Sequence, residues 1–64
     1  MYMYLAEAYR TVTDADSGTQ PLASAERPTI GGIRDWTDLT MRVDQRIGVV
    51  RISRAGRPVE SHAA

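Results

Sequence analysis

Sixty-four residues carry eight basic and eight acidic side chains, no cysteine, a single histidine and 42% apolar residues, for a net charge of zero. Such a chain makes one domain at most, with a marginal core and neither disulfide nor metal ligand set to reinforce it. A disulfide-built secreted scaffold and a multi-histidine triad or metal centre are excluded, and a dedicated, strongly basic nucleic-acid binder is disfavoured.

All eight basic residues are Arg, and Lys, Asn and Phe are absent, the bias expected of a GC-rich bacterium or its phages. Charge is uneven: residues 1–32 hold two Arg against four acids, and residues 33–64 hold six Arg against four. The start of the chain has no basic leader, and its apolar run from Met1 to Ala6 is far short of the roughly 18 residues of a membrane span. The expected setting is the cytoplasm or a particle assembled there, such as a virion, with no membrane contact.

Residues 1–13 are open to two readings. Leu5, Ala8, Tyr9 and Val12 have helical spacing, whereas Tyr9 to Thr13 has strand composition; the favoured expectation is an extended segment lying across the apolar face of a sheet. Tyr2 and Tyr4 would either complete a thin core or offer an exposed apolar docking patch. Residues 14–32 are expected to be turn and linker. Asp14, Asp16 and Gly18 only resemble the opening of a calcium loop, because no Gly follows at the sixth position and Ala25 stands where the closing Glu is needed. Thr19 to Thr29 is polar and Pro-punctuated and would not order alone, while Gly31-Gly32 lacks the Lys-Ser/Thr of a phosphate loop and reads as a flexible corner. Trp36 is either a core plug, the favoured reading, or an interface anchor.

Residues 33–61 are expected to hold the core, as a small antiparallel meander with strands near 38–44, 49–53 and 57–61. Leu39, Met41 and Val43 alternate with Asp38, Thr40, Arg42 and Asp44, which is period two. Pairing Asp44 with Val49 around a left-handed Gly48 puts Val43 opposite Val50 and Met41 opposite Ile52. A three-residue loop with Gly56 left-handed at a bulge would follow, placing Pro58 opposite Ile52 on an edge strand. The competing reading is an α+β chain with a helix at 36–46, capped by Asp35, that buries Trp36, Leu39, Val43 and Ile47 ahead of a hairpin. Met41 falls off that stripe, and several of its residues are mediocre helix formers.

The run from Val49 to Val59, VVRISRAGRPV, together with Trp36, Leu39 and Val43 upstream, resembles the Phd/YefM antitoxin family. Over residues 36–59 that resemblance implies a helix followed by a hairpin, in a dimeric DNA-binding repressor whose tail wraps a toxin.

Residues 62–64 read as a polar tail, with His62 solvated. The acids show no spacing that forces two carboxylates into one pocket, so neither catalysis, nor a cofactor, nor a small-molecule substrate is expected. Arg42, Arg46, Arg51, Arg54 and Arg57 are the notable charge feature: in the meander Arg42 would face Arg51, an arrangement that asks for a partner's carboxylates or a phosphate backbone. The leading expectation is therefore a non-catalytic assembly subunit, of the kind found in a phage particle, that binds itself or another protein through Tyr2, Tyr4, Trp36 and these arginines. The alternative is the repressor, with nucleic acid as partner.

Overall fold

The computed structural model describes residues 2–64. The chain runs through β1 (Tyr4–Tyr9), α1 (Val12–Asp16), β2 (Ala23–Arg27), α2 (Ile30–Val43), β3 (Val49–Arg54) and β4 (Arg57–Ala63). The strands form one antiparallel sheet in the order β2-β1-β3-β4, so the layout is α+β.

The first strand is one of the two inner strands of the sheet, beside β3. Its small residues explain how it fits there: Ala6 and Ala8 are fully buried, paired with Ile52 and Val50 on one side and with Ala25 and Ala23 on the other. The expected overlay of residues 1–13 on an open apolar face is replaced by insertion into the sheet itself. The supposed linker, residues 14–32, likewise contributes to three elements: the end of α1, all of β2, and the first turn of α2, where Gly31 and Gly32 are helical and not a flexible corner. Thr11 caps α1 by accepting from the Asp14 N–H, and Ala23–Arg27 pairs with β1 as an edge strand. A weak segment is ordered here because β1 satisfies its backbone.

Residues 38–44 are not a strand. Residues 38–43 belong to the 14-residue helix α2, whose N-cap is Thr29, not Asp35; the Thr29 hydroxyl accepts from the Gly32 N–H at 3.0 Å. The predicted pairings of Asp44 with Val49 and Arg42 with Arg51 therefore do not exist. Asp44 is the C-cap, its N–H donating to the Thr40 carbonyl. The buried face differs from either expectation. Ile33 and Thr37 are fully buried, Ile30, Met41 and Trp36 pack against the same core, and Leu39 and Val43 point to solvent. The Thr37 hydroxyl donates to the Ile33 carbonyl at 2.9 Å, which makes its burial tolerable.

Beyond α2, Gly48 bridges helix and sheet. It donates to the Tyr9 carbonyl at 2.9 Å and accepts from the Ala64 N–H at 3.0 Å. Its φ is not left-handed, contrary to the hairpin expectation; glycine is needed because a Cβ would overlap the Arg10 carbonyl oxygen. The β3–β4 hairpin stands close to its predicted bounds, with different details. Its turn is the two-residue Ala55-Gly56, with φ of 53° and 77°, the signs of a type I′ turn. The register shift lies at Ile52/Ser53, so Pro58 meets Ser53 while Ile52 meets Glu60. Strand β4 is an edge, as Pro58 suggested, and it runs on to Ala63, so His62 is part of the sheet and not of a tail.

One face of the sheet is closed by α2, with Ala6, Ala8, Val50 and Ile52 meeting Ile33 and Ile47. The other face carries α1 at one end. It is otherwise a shallow groove of about 540 Å³, whose lining includes Glu7, Tyr9, Arg51, Ser53 and Ser61. No helix among the described residues is long and apolar enough to cross a membrane.

Candidate functional site

Register decides which arginines act together. Tyr4 in β1 pairs with Arg27 of β2 on one side and Arg54 of β3 on the other, and Arg54 pairs with Arg57 of β4. One rung across all four strands therefore reads Arg27, Tyr4, Arg54, Arg57. The Arg54 guanidinium lies 5.2 Å from the Tyr4 ring centre, within cation–π range. Among the described residues, none of these three arginines has a carboxylate within 4.0 Å. Arg27 donates only to the neighbouring Glu26 carbonyl, at 2.7 Å.

This arrangement is costly without an anion, because like charges facing each other across strands repel. Nothing in the hairpin relieves it. The Arg54–Arg57 pair closes the tight turn, so both residues stand exposed at the end of the sheet. The residue after β2 is Pro28, then Thr29 caps α2, so the positive end of a 14-residue helix dipole starts two residues beyond Arg27. Guanidinium forks held in a row suit carboxylates or phosphates presented at intervals.

The remaining charges are internally matched to different degrees. Arg34 of α2 forms a bidentate pair with Glu60 of β4, at 2.8 and 2.9 Å, and His62 Nε2 lies 3.0 Å from the same carboxylate. The Arg34 hydrogen bonds, and after them the His62 contact, bring the Glu60 pKa down to about 2. Arg46 grips Asp44 through both side chain and backbone and lowers it to about 2 as well. Arg51 points to the other face of the sheet, pairs with Asp16 of α1 at 2.7 Å, and neighbours Glu7 across the strands. Burial, and then the charge of Glu7, raise the Tyr9 pKa.

The arginines singled out by sequence thus divide. Arg54 and Arg57 join Tyr4 on one rung; Arg51 sits in the groove on the opposite face; Arg42 is exposed in the last turn of α2. Tyr2 is exposed just ahead of β1, and Trp36 is half-buried on α2, packed against the core. Arg27, the fourth member of the rung, was not anticipated. Its signal was hidden in a stretch read as linker, and only the central place of β1 brings it opposite Tyr4.

No set of three or more His, Cys, Asp or Glu side chains that could hold a metal occurs among the described residues. No family model, no curated protein and no solved structure matches this chain.

Proposed function

We propose that this chain is a small non-catalytic interaction subunit that binds an acidic segment of a protein partner across the rung formed by Arg27, Tyr4, Arg54 and Arg57. The observation that carries this reading is the absence, among the described residues, of any carboxylate within 4.0 Å of three arginines that share one rung with Tyr4. Arg34, Arg46 and Arg51 are each paired with a carboxylate of the chain, whereas these three share one line across the sheet with no such pair among the described residues. An acidic segment lying across the strand ends would meet Arg27, Arg54 and Arg57 in turn. Subunits of an assembled particle, such as a virion, are a natural context for such docking.

The test is a fluorescence anisotropy titration with a labelled Glu-rich peptide and its Gln counterpart. Binding of the Glu peptide, weakened by about tenfold or more in R54Q/R57Q, is the expected result, in keeping with the strength of charge-assisted hydrogen bonds. Equal binding of both peptides, or no effect of the double substitution, overturns it.

A second reading is a DNA-binding repressor like those of the Phd/YefM family. What favours it is the order of elements over residues 36–59, a helix followed by a hairpin, and the suitability of the same arginines for phosphates. Titration with duplex DNA separates the two. Three phosphate contacts predict a slope of about −2.7 for log affinity against log salt. Absence of DNA binding at low salt removes this reading and leaves the first intact.

A further inference from the structure

From the outer face of α2 we infer that the chain pairs with a second copy of itself, helix against helix and antiparallel, about a two-fold axis beside Leu39. This goes beyond the anion-binding rung and uses a different surface, so either can fail without the other.

The face that α2 turns away from the sheet is not polar. Leu39 is 60% exposed and Val43 is 74% exposed, one helical turn apart, and the half-buried Trp36 continues the row on the turn before. From Trp36 to Val43 the row is about 10 Å long, the length that two crossing helices cover at close contact.

Charge then selects the occupant. Beside the apolar row lie Asp35 and Asp38 in the middle of the helix and Arg42 in its last turn. None of the three forms an ion pair with another described residue, although Asp38 and Arg42 stand four apart on one helix. Along this face the aspartates precede Arg42, an order that complements a reversed copy of the same face. A two-fold axis beside Leu39 sets that residue against its equivalent, brings Trp36 alongside Val43 of the second copy, and places Asp35 within reach of its Arg42, each contact occurring twice. The parallel arrangement would oppose Asp35 to Asp35 and Arg42 to Arg42, and is disfavoured for that reason.

Sedimentation equilibrium at low salt, without any peptide or nucleic acid, tests this. The expected species has twice the 7.1 kDa chain mass. The apolar contact is probed by Leu39→Asp, which alters an exposed side chain and is expected to leave the circular dichroism spectrum unchanged while giving a monomer. The polarity is probed by charge exchange: D35R alone and R42D alone each raise the dissociation constant by about tenfold, and D35R/R42D restores it. Each single variant places like charges opposite one another; the double variant re-forms both pairs. A wild-type chain monomeric at high micromolar concentration overturns the inference, as does a dimer indifferent to Leu39→Asp or a double variant no better than either single one.

Discussion

At Gly48 the backbone of the α2–β3 connection comes so close to Arg10 that a Cβ would overlap its carbonyl oxygen, and both peptide groups of Gly48 are engaged, with Tyr9 and Ala64. Gly48→Ala is therefore expected to lower stability by about 1–3 kcal/mol, the usual cost of forcing atoms into occupied space, as read from the urea midpoint. Ala55 presents the opposite case. It holds φ at 53°, where an L-residue with a Cβ is strained, in a turn that asks for Asn-Gly. Ala55→Asn should raise stability by about 1 kcal/mol, with an unchanged denaturant slope showing that the fold is retained. Sequence pointed to Gly48 and Gly56 as special positions. It could not give the reason for Gly48, since a close approach between residues 10 and 48 exists only once β1 lies beside β3.

At the scale of the element, α2 shows why period two misled. Leu39, Met41 and Val43 alternate along the chain, yet Met41 packs inward while Leu39 and Val43 face out. The true inward row is Ile30, Ile33, Thr37 and Met41, and a threonine in it hides the helical period from a count of apolar residues. The β3–β4 hairpin was legible because β-branched residues, the Ala55-Gly56 turn and Pro58 agree with one another. Between these two elements runs the Arg34–Glu60 clamp, which ties α2 to the edge strand. Glu60 titrates at about 2 in the fold against an ordinary 4.5, because the folded state favours its charged form. Its contribution is thus complete above the ordinary value and is lost as pH falls from about 4.5 toward about 2, and Asp44, lowered from 3.8 to about 2 by Arg46, acts in the same sense. Glu60→Gln should accordingly be less stable than the wild type at neutral pH, with the gap narrowing as pH approaches 2. Urea midpoints measured across that range check it; a gap independent of pH would show that the clamp contributes nothing through charge.

For the whole molecule, the decisive fact is that β1 is one of the sheet's two inner strands. Residues 4–9 carry Ala6 and Ala8, both fully buried, and supply the hydrogen-bonding partner for β2 on one side and β3 on the other. Composition alone could not show this, because alanine satisfies helix, strand and linker equally well, and its value here is only that it is small enough to sit beneath α2. The same placement assembles the candidate rung, since Arg27 and Arg54 are neighbours only through Tyr4. Removing β1 would leave β2 without any partner strand and open the inner edge of β3 to water, uncovering Val50 and Ile52. A chain lacking residues 1–9 is thus expected to lose cooperative unfolding altogether, seen as collapsed amide dispersion in a proton–nitrogen spectrum, with no salt-dependent binding of a Glu-rich peptide. Loss of residues 1–3 alone, which precede the strand, should leave both the dispersed spectrum and the peptide binding in place. If the chain lacking residues 1–9 kept a dispersed spectrum, β3 and β4 with α2 would form a sufficient core, and the central role given to β1 would be wrong.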